Sequence, residues 1–172
     1  MKSLAILRHA KSSWDDHGLA DFERPLADRG RRDAPMMATR LAERGLKPDL
    51  VITSPAARAE QTAELVTAGL GTIAVETRRD ARLYLASPGD LLEVIRSIDE
   101  PFANVILVGH NPGLTLLGNL LLPELKLLNL PTCGVIAMRC TIELWSEIDP
   151  STTSLEFYDY PKNSSSSRGA TG

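Results

Sequence analysis

The sequence is poor in several features that would point to a specialised class of protein. Of its 172 residues only 2 are cysteine, 5% are aromatic, and the formal net charge is −3. A mildly acidic chain lacks the electrostatic footprint of a nucleic-acid-binding protein, so no nucleic acid is expected as a partner. The apolar fraction of 43% and the charged fraction of 24% are close to globular averages, which excludes wholesale disorder.

The two cysteines predict neither a disulfide nor a zinc site. Cys133 and Cys140 are seven positions apart and have no CxxC or HxxxH partner nearby. If residues 134–140 form a strand, the two sulfur atoms lie too far apart to bridge. We expect two buried thiols in a protein of a reducing compartment.

No segment has the length needed to cross a membrane. The longest apolar stretch, 114–122, is interrupted by a Gly-Asn pair and is far shorter than the roughly 20 residues of a spanning helix. The N-terminal residues lack the length and the cleavage site of a signal peptide. The sequence therefore predicts a soluble, cytoplasmic protein. It consists of one domain, 1–161, and a Ser- and Gly-rich disordered tail, 162–172.

Short apolar runs alternate with helical patterns, which is typical of a largely parallel sheet covered on both faces. Ser54 and Pro55 have the residue types of an N-cap and a first helical turn, and Pro35 suggests the true start of the first helix. The sixth strand is expected at a sheet edge. The predicted strands are 3–7, 49–53, 73–76, 104–108, 134–140 and 154–160, and the predicted helices are 28–45, 55–68, 91–98 and 114–122.

Three of the predicted strands lead into residues that carry chemistry. The first strand ends in Arg8 and His9, and the fourth ends in a glycine followed by His110. The second strand leads into a helix whose first turn holds Arg58. Because ligands bind at the carboxyl ends of the strands in an open parallel sheet, these four side chains are expected to share one crevice.

Two guanidinium groups and two imidazoles suit a phosphoryl group. Guanidinium forks match phosphate oxygens and stay charged. A neutral histidine can attack phosphorus and later be regenerated by water. Phosphoryl transfer depends mainly on positioning and charge stabilisation, so neither a metal nor another cofactor is required. The sequence therefore predicts a phosphatase in which His9 is the nucleophile.

Each of these residues also has an ordinary explanation when it is taken alone. Arg58 fits a solvated helix residue, and His110 fits a hydrogen-bonded histidine in a tight turn. Their joint placement after three strands favours the functional interpretation. His17, in a polar loop beside two aspartates, is expected to be an ordinary surface residue.

The motifs taken together resemble the histidine phosphatase superfamily. The segments that carry the resemblance are 7–10 (LRHA), 54–63 (SPAARAEQTA) and 108–112 (VGHNP). A further segment, 24–30 (RPLADRG), is most similar to the SixA-type protein phosphohistidine phosphatases. The resemblance covers roughly residues 1–140. It implies an α/β fold, a three-layer α/β/α sandwich with a mixed, mainly parallel sheet.

The resemblance also implies roles for individual residues. His9 would be the phosphorylated nucleophile, and Arg8, Arg58 and His110 would complete the phosphate pocket. Ser12 matches the mutase-type pattern of the superfamily and is implied as a substrate-binding residue. No metal ligand and no cofactor are implied.

Two departures from the mutase-type pattern bear on the substrate. Asp15 stands where mutase-type members have an asparagine, and a carboxylate is a poor phosphate ligand. The glutamate acid of those members has no clear counterpart, which leaves Glu76, Asp80 and Asp21 as loose candidates. An alkoxide leaving group needs a proton from a well-placed acid. The imidazole of a phosphohistidine leaves more easily, so a missing acid favours phosphohistidine as the substrate.

Three functions stay open. The leading one is removal of phosphate from phosphohistidine on a protein, which agrees with the lack of a large inserted cap. The second is hydrolysis of a small phosphate ester, such as a sugar or nucleotide phosphate, which needs an acid and a closed pocket. The third is a non-catalytic module that binds a phosphorylated ligand. The expected partner is therefore a phosphorylated protein or a small phosphate ester, and the sequence does not predict the oligomeric state.

Overall fold

A six-stranded mixed sheet forms the centre of the structure, a computed structural model that describes residues 1–164. Its strands are β1 (Lys2–Arg8), β2 (Leu50–Thr53), β3 (Glu76–Arg79), β4 (Asn104–Gly109), β5 (Val135–Cys140) and β6 (Thr153–Asp159). Their order across the sheet is β3-β2-β4-β1-β5-β6. The pairs β3–β2, β2–β4 and β4–β1 are parallel, whereas β1–β5 and β5–β6 are antiparallel. The sheet is therefore mixed and mainly parallel, and β6 lies at an edge, as predicted.

Two pairs of helices cover the two faces of the sheet. They are α1 (Asp28–Glu43), α2 (Ala57–Leu70), α3 (Pro88–Arg96) and α4 (Gly113–Leu121). Leu4 and Ile6 of β1 pack into one core with α3 and α4, while Ala5 and Leu7 pack into another with α1 and α2. The resulting α/β/α sandwich confirms the expected fold. Burial of both faces also explains why the central strands are apolar throughout.

The parallel pairing brings the carboxyl ends of β1, β2 and β4 to the same edge of the sheet. In the register of the sheet, Arg8 lies opposite Gly109 and Thr53 opposite Val108. The residues that directly follow these strands therefore begin their loops side by side. Short 3₁₀ helices at Asp21–Glu23 and Ala81–Leu83 lie in two of the connections.

The first helix begins at the residue where its predicted range, 28–45, begins, but Pro35 does not mark its start. The helix begins at Asp28 and continues through Pro35, which lies inside it rather than at its start. A proline removes one backbone hydrogen bond of the helix and crowds the preceding turn. The buried residues on either side, Ala34 and Ala38, keep this turn packed in the core, which outweighs that loss.

The start of α2 also differs from the prediction. Ala56 is the N-cap and Ala57 the first helical residue, so Ser54 is not the N-cap. The hydroxyl of Ser54 accepts a hydrogen bond from the Ala56 N–H at 3.3 Å and lies 2.8 Å from Nε2 of His110. Ser54 therefore joins the second strand to the candidate site instead of capping the helix.

The third strand lies later in the chain than the predicted range 73–76. It spans Glu76–Arg79, and the preceding segment includes Gly71 and Ala74 with positive φ angles of 63° and 62°. These angles interrupt an extended conformation before Glu76. The strand itself is polar and, among residues 1–164, pairs only with β2, so it has no apolar pattern that a sequence could show.

The remaining sequence predictions concern the cysteines, the membrane and the C-terminal segment. Cys133 and Cys140 are both buried and free, which confirms that they form no disulfide. Within residues 1–164, no helix combines the length and the apolar composition needed to span a bilayer. Most of the predicted tail, 165–172, lies outside the described residues.

Gly30 allows α1 to pack directly on the loop after β1. A Cβ at this position would overlap the backbone carbonyl of Lys11, which already accepts a hydrogen bond from the Ala27 N–H at 2.8 Å. Gly30→Ala should therefore lower the free energy of unfolding by about 1–3 kcal/mol, measured by urea denaturation. Gly89→Ala in the first turn of α3 is the control, because the added Cβ meets only Ser87 Oγ at 3.7 Å. Equal stability of the two variants would contradict the account.

Candidate active site

One cavity at the carboxyl edge of the sheet collects all of the predicted site residues. It has a volume of about 360 Å³, and Arg8, His9, Ser12, Arg58 and His110 line it. These residues come from three separate stretches of the chain, so the convergence expected from the parallel strand ends is present. The other lining residues are Lys11, Trp14, Arg24, Leu85, Asn111 and Thr132.

The ring of His9 is held as one tautomer. Its Nδ1 lies 2.7 Å from the carbonyl oxygen of Ala10, and because a carbonyl only accepts, Nδ1 carries the proton and donates. Nε2 therefore keeps its lone pair and lies 3.4 Å from Nε of Arg58. Burial lowers the pKa of His9 to about 3 and outweighs the opposing effect of the Ala10 carbonyl. At neutral pH the ring is uncharged.

The backbone around His9 is fixed by three neighbouring segments. The His9 N–H donates to the carbonyl of Gly109 at the end of β4, at 3.1 Å. The His9 carbonyl accepts from the Cys133 N–H at 3.1 Å. The Ala10 N–H donates to Oγ1 of Thr62 on α2 at 2.9 Å. The position of the His9 ring is thus set by the sheet, by the segment before β5 and by α2 together.

The ring of His110 lies next to that of His9, with the two centroids 5.2 Å apart. Its Nε2 lies 2.8 Å from the hydroxyl oxygen of Ser54. Burial, and then the nearby charge of Arg58, lower the pKa of His110 to about 4. Both imidazoles are therefore neutral in the free protein near pH 7.

Two buried nitrogens at the cavity have no hydrogen-bond partner among residues 1–164. They are Nε of Arg8 and Nδ1 of His110. Arg8 also donates from Nη1 to the carbonyl of Leu130 at 2.9 Å, which holds its side chain in place. Burial and then Arg58 lower the pKa of Arg8 from its usual high value. Buried polar atoms without partners cost free energy, and the oxygens of a bound phosphoryl group would satisfy both nitrogens.

Asp21 organises the cationic side of the cavity. Arg58 donates from Nη1 to the Asp21 carbonyl at 2.6 Å and from Nη2 to its carboxylate at 3.0 Å. The Tyr84 hydroxyl donates to the same carboxylate at 2.7 Å, and Arg24 does so from Nη1 at 3.0 Å. One carboxylate thus holds two arginines and a tyrosine, so Asp21 positions the guanidinium group that faces His9.

None of the candidate acids lines the cavity. The hydrogen bond from Tyr84, followed by those of Arg58, lowers the pKa of Asp21, so its carboxyl group is ionised and has no proton to give. Asp80 is bound by Arg82, whose hydrogen bonds lower the pKa of that carboxyl group. Glu76 is ion-paired on strand β3. Within residues 1–164 the acidic side chains also form no group of three or more potential metal ligands with histidine or cysteine.

Ser12 and Arg24 also line the cavity and are bound to each other. Arg24 donates from Nη2 to the Ser12 hydroxyl at 2.7 Å and from Nε to the carbonyl of Ser13 at 3.0 Å. The indole ring of Trp14 stacks on the guanidinium group, with Cζ of Arg24 3.2 Å from the ring centroid. The structure therefore places Ser12 at the cavity, and its hydroxyl holds a third buried arginine there.

Comparison with known proteins assigns the family. Residues 4–90 match the histidine phosphatase superfamily, branch 1. This chain belongs to the histidine phosphatase superfamily. The match includes β1 with His9 and the helix with Arg58, which are two of the three segments that form the cavity. The chain is therefore a phosphatase, in agreement with the resemblance found in the sequence.

Relatives of this histidine phosphatase extend the match over nearly the whole chain. An uncharacterised protein of Mycobacterium tuberculosis is 32% identical over 91% of this chain and 100% of its own length. A crystal structure assigned as the phosphohistidine phosphatase SixA of Agrobacterium tumefaciens has a TM-score of 0.77 and 27% identity, and covers 93% of this chain and 98% of that one. A 2,3-bisphosphoglycerate-dependent phosphoglycerate mutase of Brucella ovis is 34% identical over 52% of this chain and 45% of the mutase.

Sequence reasoning missed the loop residues of this phosphatase site. Arg24 lies in the segment that resembles the SixA type, yet nothing in the spacing of the sequence placed it beside Arg58. Tyr84 reaches the site through its hydrogen bond to Asp21, 63 positions away in the chain, and through edge-to-face packing on His110. His17 is exposed and does not line the cavity, which confirms that it is a surface residue.

The role of Asp21 can be tested with a substitution that keeps its shape. Asp21→Asn removes the charge that holds Arg58 and Arg24, so kcat/KM for an aryl phosphate should fall about 10- to 100-fold through misplacement of the guanidinium groups. Asp16→Asn is the matched control on the same loop, because within residues 1–164 its carboxylate accepts only from the Gly18 N–H. Activity of Asp21→Asn equal to that of the control would contradict a positioning role.

Proposed function

We propose that His9 is the nucleophile of this phosphatase and carries the phosphoryl group as a phosphohistidine intermediate. The observation that supports this most strongly is the state of its ring. Nδ1 donates to the Ala10 carbonyl, which leaves the lone pair of Nε2 inside a cavity lined by Arg8, Arg58 and His110. A neutral imidazole needs no prior loss of a proton before it attacks phosphorus.

The reaction takes two displacement steps. Nε2 of His9 attacks phosphorus, a P–N bond forms, and the bond to the leaving group breaks with its electron pair leaving on that group. Water then attacks phosphorus, the P–N bond to His9 breaks, and dihydrogen phosphate departs with both protons of the water. His9 returns to its neutral form with Nδ1 still protonated, ready for the next substrate.

The arginines and His110 stabilise the charge of the transferring group. Nε of Arg8 and Nδ1 of His110, which have no partner among the described residues, bind its oxygens together with Arg58. The negative charge of the substrate raises the pKa of His110 above its free value of about 4. Its ring can then hold a proton and donate from both nitrogens while the phosphoryl group is bound.

The substrate we propose is phosphohistidine on a protein. No carboxylate lines the cavity among residues 1–164, so the site lacks the carboxylic acid that would protonate a sugar alkoxide as it leaves. A protonated imidazole leaves without such an acid. The similarity to a structure assigned as a phosphohistidine phosphatase agrees with this choice of substrate.

A small phosphate ester is the second candidate. The partial match to a phosphoglycerate mutase favours it. For this activity, Asp21 or His110 would have to bring a proton to the leaving oxygen. A module that only binds phosphorylated ligands is the third candidate, and it would form no covalent phosphoenzyme.

The test is phosphate release from a phosphohistidine protein and from a panel of sugar phosphates, with the chain and with His9→Ala. Release from phosphohistidine should exceed release from every sugar phosphate. The variant should lose activity by about 10³-fold or more, because the nucleophile is absent. Acid-labile, alkali-stable phosphate should appear on the unaltered chain after a short incubation with labelled substrate.

The exposed histidine supplies the matched control. His17→Ala removes an imidazole that lies outside the cavity and should keep full activity and labelling. Faster release from one sugar phosphate would assign the enzyme to small esters. Retained phosphate binding without release or labelling would assign it to the binding modules, and normal labelling of His9→Ala would overturn the role of His9.

A further inference from the structure

Two exposed apolar side chains border the candidate cavity. Trp14 is 64% exposed and Leu85 is 70% exposed, yet both line the cavity that holds His9. Single exposed apolar residues are common on protein surfaces and need no explanation. These two come from different loops and both line the mouth of one site, which calls for a reason specific to the site.

The backbone of Leu85 adds a second observation. Its φ of 51° places it in the left-handed region, which is unfavourable for a residue with a branched side chain. The preceding residue, Tyr84, is held by its hydrogen bond to Asp21 and by edge-to-face packing on His110, with centroids 5.4 Å apart. The site therefore holds a leucine in a costly conformation that leaves its side chain exposed at the mouth. Such conformations are concentrated at functional sites.

The side chain of Trp14 is held in place by Arg24. Its ring stacks on Arg24, and that guanidinium group is bound in turn by Ser12 and Asp21. One face of the indole is thus covered by the protein, while nearly two thirds of the side chain stays accessible. A rigid, exposed tryptophan is the kind of residue that dominates binding at protein interfaces, because little conformational freedom is lost on contact.

Lys11 gives the same rim a positive charge. It lines the cavity, it is exposed, and its side chain makes no hydrogen bond or ion pair within residues 1–164. The acidic residues of the same loop, Asp15 and Asp16, do not line the cavity. The mouth therefore combines two apolar side chains with a cation that has no ion-pair partner in the described part of the chain.

We propose that Trp14, Leu85 and Lys11 form a recognition rim for the residues that flank the phosphorylated histidine of a protein substrate. Apolar side chains of the substrate contact Trp14 and Leu85, and an acidic side chain pairs with Lys11. This inference rests on the proposed function. A polypeptide fits the rim better than a metabolite, because residues on either side of the phosphohistidine extend beyond the cavity of about 360 Å³ and can cover the exposed parts of Trp14 and Leu85.

The test uses two synthetic phosphohistidine peptides and one aryl phosphate. In one peptide, leucine and glutamate flank the phosphohistidine, and in the other, serine takes their places. The unaltered chain should show a kcat/KM at least about tenfold higher for the first peptide. The double variant Trp14→Ala/Leu85→Ala should reduce this preference to less than about threefold. Lys11→Gln should weaken it by lowering kcat/KM more for the glutamate-containing peptide than for the serine-containing one.

The readout is a ratio, so a general loss of activity does not count as support. Leu128→Ala is the matched control, since Leu128 is 99% exposed and does not line the cavity, and it should keep the full preference. Because Trp14 supports Arg24, Leu85→Ala alone is also measured, and it should lower the ratio without changing the folding transition.

An unchanged ratio in the double variant, or no preference in the unaltered chain, would overturn the proposed recognition rim. Hydrolysis of the aryl phosphate but of neither peptide would overturn the proposed function itself, and the inference with it.

Discussion

The hydrogen bond from the His9 ring to the carbonyl oxygen of Ala10 is the interaction on which the rest of the site depends. It places the proton on Nδ1 and leaves the lone pair on Nε2, inside the cavity. Its geometry holds only because the neighbouring backbone is itself bound, by Gly109 of the adjacent strand and by Thr62 of α2. The hydrogen bond between two neighbouring residues, His9 and Ala10, thus depends on the backbone of β4 and on a side chain of α2.

Charge is the second constraint on this edge. Arg8, Arg24 and Arg58 lie around two imidazoles, and burial keeps both imidazoles neutral. Asp21 does not line the cavity, but its carboxylate binds Arg58 and Arg24 and balances part of their positive charge. The cavity is therefore electropositive, and an oxyanion bound in it would supply partners for the buried nitrogens of Arg8 and His110. The same network holds the apolar side chains at the mouth of the cavity, Leu85 through Tyr84 and Trp14 through Arg24.

Much of this arrangement could be predicted from the sequence, because the apolar strands are buried on both faces and end abruptly in functional side chains. The run before Arg8 and His9 is the clearest case. The polar edge strand β3 could not be placed well, since it buries little and pairs on one side only. Arg24 and Tyr84 were missed for a related reason: they lie in loops, and only tertiary packing brings them to the site.

Nitrogen-15 NMR of the His9 ring tests the central claim most directly. The account predicts a neutral ring with Nδ1 protonated and Nε2 bare, unchanged from pH 7 to pH 5, because burial lowers its pKa to about 3. Signals are assigned by their absence from the spectrum of His9→Gln. A ring that titrates near the ordinary value of 6.5, or one that carries its proton on Nε2, would contradict the account.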